Sequence, residues 1–175
     1  MDSKDDDLLA AAREGNHEAF ISLYQRHGKS IFSFLHRLLD SEKAAEDISH
    51  DCFIDLIREP EHFKSNGYSL LIQLYRRARD LAVQYLNQIG KNRQVSHGPG
   101  KDRDESSAGF THGESVRRAI NRLPLLEREV LLLFEYERLP LNEIAVIVGS
   151  NSEIVSMRLS DARRNLRNEL SRYLS

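Results

Sequence analysis

Apolar side chains recur every three or four residues through most of the chain, which is the spacing of one face of an α-helix. Ile31, Phe34, Leu35 and Leu38 are one such set. The longest interruption of the pattern runs from residue 90 to residue 113, a stretch that is polar, rich in Gly and Ser and includes Gly98-Pro99-Gly100. The sequence therefore predicts an all-α fold of two small helical modules, residues 1–89 and 114–175, joined by a flexible linker.

Turn and capping residues predict where the helices begin and end. The first module is expected to contain a helix over residues 2–14 that Gly15 ends, a helix from Asn16 that Gly28 interrupts, a helix from Ser41 to Pro60, and a long helix from Ser69 to Ile89. The second module is expected to begin with helices over residues 114–123 and 125–137.

The last third of the chain predicts a helix-turn-helix. Two amphipathic patterns flank the tripeptide Gly149-Ser150-Asn151: Leu141, Ile144, Ala145 and Val148 before it, and Val155, Leu159, Ala162, Leu166 and Leu170 after it. Gly149 can adopt a positive φ and end the first helix, while Asn151 or Ser152 can cap the second. Short helices joined in this way are typical of DNA-binding proteins.

Polar and basic residues lie opposite the apolar stripe of the second of these helices: Ser156, Ser160, Arg163, Arg164 and Arg167. Small polar groups near the start of a recognition helix can contact bases, and cations further along can contact phosphates. The same pattern also fits the solvated face of a structural helix pair, so both interpretations stay open at this point.

Carboxylates recur along one edge of the predicted 41–60 helix. Asp47, Asp51 and Asp55 are spaced by four residues, and Glu46 is adjacent. Like charges at this spacing slightly destabilise an isolated helix. The edge is either a solvated face or a docking surface for a basic partner.

The loop that follows has the composition of a base-binding segment. Phe63, Lys64, Ser65, Asn66 and Tyr68 combine rings that can stack on a base with groups that can bond to its edge. The next helix carries a basic cluster, Arg76, Arg77 and Arg79, that can meet phosphates.

Composition limits the possible functions. The formal net charge is −2, so any DNA contact depends on local patches or on a larger partner. Cys52 is the single cysteine and falls in an apolar stripe, and the seven histidines are scattered, so neither a disulfide nor a metal site is expected. There is no signal peptide, membrane-length apolar run, Gly-rich phosphate loop or nucleophile motif; we therefore expect a cytoplasmic protein without cofactor or enzymatic activity.

Several segments, in order and spacing, resemble the extracytoplasmic-function sigma factors of the bacterial sigma-70 family. AEDISHDCFIDLI (45–57) resembles region 2.2, and LYRRARDLAVQYL (74–86) resembles region 2.4. INRLPLLEREVLLLFEYERLPLNEIAVIVG (120–149) resembles region 4.1 and the first half of region 4.2, and SEIVSMRLSDARRNLRNEL (152–170) resembles its recognition helix. The resemblance covers nearly the whole chain outside the linker.

The resemblance implies roles for the residues already singled out. It implies partners in core RNA polymerase (the β′ clamp helices and the β flap), promoter DNA and an anti-sigma factor. Core polymerase would be bound by Glu46, Asp47, Asp51 and Asp55. The minus-10 element would be bound by Phe63, Lys64, Ser65, Asn66, Tyr68, Arg76, Arg79, Asp80 and Gln84. The minus-35 element would be bound by Ser152, Glu153, Ser156, Arg158, Ser160, Arg163, Arg164 and Arg167.

Departures from the family pattern concern promoter contacts. Gln73 stands where the family often has Trp, so strand opening would rely on Phe63 or Tyr68. Ser156 stands where Lys is usual, which removes one expected phosphate contact.

Two other functions remain possible interpretations of the sequence: a sigma-like mimic that titrates an anti-sigma factor, and a helix-turn-helix regulator that dimerises or senses a ligand through its first module. We also expect that the two modules of the free protein can pack together and hide their DNA-binding faces.

Overall fold

The computed structural model describes residues 3–63, 67–96 and 111–172, and these residues form helices and turns. The first module contains α1 (Ser3–Arg13), α2 (His17–Leu39), α3 (Glu42–Arg58), a short 3-10 helix (Pro60–Phe63) and α4 (Leu70–Ser96). The second contains α5 (His112–Asn121), α6 (Leu125–Glu135), α7 (Leu141–Val148) and α8 (Ser152–Ser171). The all-α prediction is confirmed.

The predicted caps of the first module are present. Gly15 follows α1 with φ +95°. The Asn16 side chain then accepts a hydrogen bond from the Ala19 N–H at the start of α2, and the Ser41 hydroxyl accepts one from Ala44 at the start of α3. Each cap satisfies one of the N–H groups that a helix N-terminus leaves without an intrahelical partner.

The predicted interruption of α2 at Gly28 is wrong. The helix continues through Gly28, which is buried and lies under the ring of Tyr24, where an added Cβ would stand 3.4 Å from the ring carbons. Tyr24 in turn packs edge-on against Phe53 of α3, with 4.9 Å between the ring centroids. This glycine therefore serves close packing rather than a turn.

The long helix α4 extends past its predicted end at Ile89 to Ser96, so the first seven residues of the predicted linker are helical. Gly90 lowers helix propensity by only about 1 kcal/mol, and the Lys, Arg and Gln residues after it are good helix formers. Gly98-Pro99-Gly100, on which the linker prediction rested, lies outside the described residues.

A capping box starts the second module. Thr111 accepts a hydrogen bond from the Glu114 N–H, and the Glu114 carboxylate accepts one from the Thr111 N–H. This places the start of α5 two residues before the prediction. α6 ends at Glu135, two residues before the predicted end, and Arg138 turns the chain toward α7 with φ +58°.

The two modules pack against each other around one continuous set of buried apolar side chains. α4 lies against α7, and α2 lies against α6. Leu74 and Ala78 on α4, and Leu132 and Ile144 in the second module, are buried in this set. None of the described helices combines the length and apolar character needed to cross a membrane.

Candidate nucleic-acid interface

The helix-turn-helix has the predicted geometry. Gly149 ends α7 with φ +66°, and the Asn151 side chain accepts a hydrogen bond of 2.9 Å from the Ile154 N–H at the start of α8. Ile144 and Val148 of α7 share the buried cluster with Val155 of α8. The turn therefore holds α8 with one face on the core and the opposite face exposed.

The exposed face of α8 carries the residues expected to contact a minus-35 element. Seven of the eight are exposed, and Arg158 alone is half-buried: the exposed ones are Ser152, Glu153, Ser156, Ser160, Arg163, Arg164 and Arg167. Small hydroxyl and carboxylate groups thus lie in the first turns, and cations follow nearer the C-terminus.

Two of these cations are oriented by neighbouring groups. Arg163 donates two hydrogen bonds, of 3.0 and 2.6 Å, to one carboxylate oxygen of Glu135 on α6, and its guanidinium lies 5.2 Å from the centre of the Phe134 ring. Arg164 donates a bond of 2.6 Å to Asp161. These acidic partners fix the two guanidinium groups at the protein surface, where exposed N–H donors remain available to a phosphate.

The α4 residues expected to bind a minus-10 element are of two kinds: some have exposed side chains, and one is hydrogen-bonded within the protein. Arg76 and Gln84 are exposed, and the Asp80 side chain is 42 % exposed. Arg79 instead donates hydrogen bonds to Glu129 of α6 and to Asp80. The third arginine of the predicted basic cluster, Arg77, turns away from this surface and bonds to Asp55.

The loop before α4 differs from its expected role at one position. The Phe63 ring is 3 % exposed and belongs to the core, so it offers no face for an extruded base. Tyr68 is 38 % exposed and is the aromatic side chain left for stacking. Lys64, Ser65 and Asn66 lie outside the described residues. Gln73 donates a hydrogen bond of 3.1 Å to the Tyr68 carbonyl and thereby holds the loop, a role that the sequence did not reveal.

The acidic edge of α3 keeps three of its four carboxylates exposed: Glu46, Asp47 and Asp51. The fourth, Asp55, does not belong to that surface. It accepts hydrogen bonds of 2.7 and 2.5 Å from Arg77, and both side chains are only 16 % exposed. Asp55 is therefore a structural tie between α3 and α4, and the exposed acidic surface consists of the other three residues.

Asp55, Glu59 and His62 are the one group in the described part of the chain with metal-ligand spacing. Arg77 already lies among them, bonded to Asp55 and 3.5 Å from Glu59. Its charge neutralises the carboxylates, so the group fits an internal ion pair better than a cation site.

A buried ion pair joins the two modules. Arg79 donates bonds of 2.9 and 3.2 Å to the two carboxylate oxygens of Glu129, whose side chain has no exposed surface. Burial raises the pKa of Glu129, and the hydrogen bonds from Arg79 partly oppose this shift. Burial lowers the pKa of Arg79, but the hydrogen bonds and charges of Glu129 and Asp80 together outweigh that effect, so the net direction is upward. Arg79 therefore stays protonated as the donor of both hydrogen bonds, and its removal would leave the Glu129 carboxyl group buried without a partner.

A second polar contact flanks the first. The Tyr75 hydroxyl donates a bond of 2.6 Å to Glu137, and Arg37 of α2 lies 3.5 Å from the same carboxylate and 4.5 Å from the centre of the Tyr136 ring. Burial and then the bond to Glu137 raise the pKa of Tyr75, so the hydroxyl stays protonated as a donor. An apolar cavity of about 520 Å³ lies beside this contact, between α2, α5 and α6.

One feature of the sequence indicated the polar contact between the two modules. Glu129 falls between Leu125 and Leu132 at the i+4 position of an apolar stripe, where a lone charge needs a partner. Its partner, 50 residues earlier in the chain, was not deducible from helical periodicity.

These features define a class: an all-helical protein of two modules with a helix-turn-helix DNA-binding surface in the second. The sigma-70 region 2 model matches residues 23–92, and the sigma-70 region 4 model matches residues 113–166. The chain belongs to the sigma-70 family, and relatives named as extracytoplasmic-function sigma factors place it in that class.

Two relatives match along nearly their full length. RNA polymerase sigma factor NccH of Alcaligenes xylosoxydans xylosoxydans is 25% identical over 94% of this chain and 93% of its own. ECF RNA polymerase sigma factor SigK of Mycobacterium tuberculosis is 26% identical over 95% of this chain and 94% of its own.

Two solved structures share the fold. Sigma factor RpoE of Bartonella quintana, in complex with the anti-sigma factor NepR, has a TM-score of 0.71 at 20% identity and covers 87% of this chain and 96% of its own. CnrH, in complex with the cytosolic domain of CnrY, has a TM-score of 0.71 at 20% identity and covers 96% of this chain and 97% of its own.

Proposed function

We propose that this protein directs promoter recognition and transcription initiation by bacterial RNA polymerase. The observation that carries the proposal is the exposed face of α8, which combines small polar residues in its first turns with Arg163, Arg164 and Arg167 further along. Such an arrangement lets the N-terminal part of the helix reach base edges in the major groove while the cations fix it on the phosphates.

The first module supplies the other two contacts. Glu46, Asp47 and Asp51 form the exposed acidic surface that docks on the clamp helices of the polymerase β′ subunit. Arg76, Gln84 and Tyr68 are exposed and bind the minus-10 element. The Asp80 side chain, which is 42 % exposed, belongs to the same surface. Arg79 joins it when the modules separate, and the nearly neutral protein gains its affinity for DNA from such local patches and from polymerase.

The packing of the modules gives a form of control. Arg79 is held by Glu129 in the packed arrangement, so its guanidinium cannot bind a minus-10 phosphate there. Polymerase separates the modules, and an anti-sigma factor binds and keeps the packed form. One of the similar structures is a sigma factor in complex with an anti-sigma factor, which supports a partner of this kind.

Run-off transcription tests the proposal. Core polymerase with the full chain should give specific transcripts from a fragmented library of the source genome, and alignment of their starts should reveal a minus-10 and a minus-35 element. Core polymerase alone is the control. If the chain binds neither polymerase nor promoters but captures an anti-sigma factor, it is instead a sigma-like mimic.

A further inference from the structure

Met157 is the most exposed large apolar side chain in the described part of the chain, at 59 %. It lies on α8, in the second turn of the helix whose exposed face carries the proposed minus-35 contacts. Ile154, three residues earlier, is 37 % exposed. The two side chains form an exposed apolar pair one helical turn apart, which is open to a partner with apolar groups of its own.

The position of Met157 excludes a role in the fold. The buried stripe of α8 consists of Val155, Leu159 and Ala162. At about 100° per residue, Met157 projects roughly 170° from the centre of that stripe, so it points directly away from the protein. Arg164 lies almost in line with it, two turns further along the helix.

The surroundings of Met157 favour nucleic acid over protein as the partner. Glu153 and Ser160 flank it on the same exposed face, and the three arginines Arg163, Arg164 and Arg167 follow. A protein-docking helix face usually presents several apolar side chains together, whereas this face presents an apolar pair inside a polar and basic surface.

In the major groove, one apolar group is available for such a side chain: the C5-methyl group of thymine. The N-terminal turns of a recognition helix are the ones that approach base edges, and Met157 lies in those turns. An unbranched, flexible thioether side chain can follow the groove to reach a methyl group.

We propose that Met157, supported by Ile154, reads thymine methyl groups in the minus-35 element and so helps to determine promoter choice. The inference rests on the proposed function of α8. It assigns a role in sequence specificity to two apolar side chains, which have neither the charge nor the hydrogen-bonding groups by which DNA contacts are usually identified.

Replacement of thymine by uracil tests this directly, because the two bases differ only in the methyl group. The holoenzyme formed from core polymerase and the full chain is titrated with promoter duplexes in which each minus-35 thymine is replaced singly by deoxyuridine. At one thymine or two, we expect binding to weaken about threefold to fivefold, the effect of burying one methyl group.

The Met157→Ala variant should bind the thymine promoter more weakly and should lose the thymine–uracil difference at one of these positions. Arg167→Ala is the matched control: it should weaken binding to both promoters by the same factor and preserve their ratio, because a phosphate contact carries no base information. Circular dichroism of each variant checks that α8 is still folded.

The outcomes separate the inference from the function on which it rests. A wild-type holoenzyme that binds all uracil-substituted promoters as well as the parent overturns the inference, as does a Met157→Ala variant that keeps the full thymine–uracil ratio. A minus-35 element without any A·T pair overturns it equally. A chain that selects no promoter at all overturns the proposed function and the inference together.

Discussion

Arg79 on α4 of the first module donates two hydrogen bonds to Glu129 on α6 of the second, and the Glu129 side chain has no exposed surface. The pair joins a residue of the proposed minus-10 surface to the interior of the module that carries the helix-turn-helix. If the two modules separate on a promoter, as proposed above, this charged contact opposes the separation and favours the packed form.

Loss of Arg79 should open the molecule. Arg79→Ala leaves the Glu129 carboxylate buried without its partner, a situation that typically costs about 3–5 kcal/mol and that separation of the modules relieves. Small-angle scattering of the full chain should show a larger radius of gyration, while circular dichroism keeps the helical signal. Arg76→Ala removes an exposed arginine from the same helix and should leave the radius unchanged. An unchanged radius for Arg79→Ala would contradict the role of this contact.

Charge reversal on the acidic surface of α3 should weaken binding to polymerase. Asp47 and Asp51 are exposed, so Asp47→Lys with Asp51→Lys changes the surface potential without disturbing packing. Placing like charges opposite a basic partner reduces affinity, and we expect a loss of at least about tenfold in titrations with core polymerase.

The matched control for that variant reverses two exposed acidic residues elsewhere in the first module. Asp7→Lys with Glu14→Lys gives the same change in net charge on and after α1. Equal losses for both double variants would mean that only net charge matters, and the acidic surface would then not be the docking site.

Asp55, one turn beyond Asp51, should behave differently because it is tied to Arg77. Asp55→Ala removes a charge-assisted contact between α3 and α4 and should lower the free energy of unfolding by about 1.5–3 kcal/mol. Asp51→Ala should change it by no more than about 0.5 kcal/mol. Urea denaturation followed by circular dichroism compares the two, and similar losses would show that the ion pair adds nothing to stability.

The contrast between Asp51 and Asp55 shows how far sequence reasoning reached. Periodicity and capping residues predicted the helices, the helix-turn-helix and the face of α8, because these depend on neighbours within four residues along the chain. The partners of Asp55 and Arg79 come from other helices, 22 and 50 residues away in sequence. Such contacts depend on how helices pack, and the sequence pattern of one helix does not contain that information.

The prediction for Gly28 failed for a related reason. A glycine within a helical pattern can end a helix or can let another group approach closely, and only the position of the Tyr24 ring distinguishes the two. Phe63 is a similar case: an aromatic residue in a loop suits base stacking, but its side chain is buried in the core.

Phe63 and Tyr68 should therefore differ when each is replaced by alanine. Phe63→Ala leaves a cavity in the core and should lower the free energy of unfolding by about 3–5 kcal/mol. Tyr68→Ala should leave stability within about 0.5 kcal/mol and reduce promoter opening instead, measured by the permanganate reactivity of unpaired thymines. Normal opening in Tyr68→Ala would exclude Tyr68 as the residue that stacks on a base.

The buried thiol of Cys52 should make stability fall at high pH. Burial raises the pKa of Cys52 to about 12, and the Asp55 carboxylate acts in the same direction. Because the folded state holds the thiol proton more tightly than the unfolded state, this contribution to stability is fully present below about pH 9 and is lost as the pH rises toward 12. Within that window the free energy of unfolding should fall by about 1.4 kcal/mol per pH unit from this group alone.

Comparison with Cys52→Ala isolates this contribution, because the variant lacks the thiol while Tyr75 and the other groups that ionise at high pH are unchanged. The difference in unfolding free energy between wild type and variant should be constant from pH 7 to pH 8 and should shrink between pH 9 and pH 10. The native thiol should also resist alkylation at pH 8, where urea-unfolded protein reacts readily. A constant difference up to pH 10, or rapid alkylation of the native protein, would show that the cysteine is accessible to water and that α3 and α4 do not enclose it.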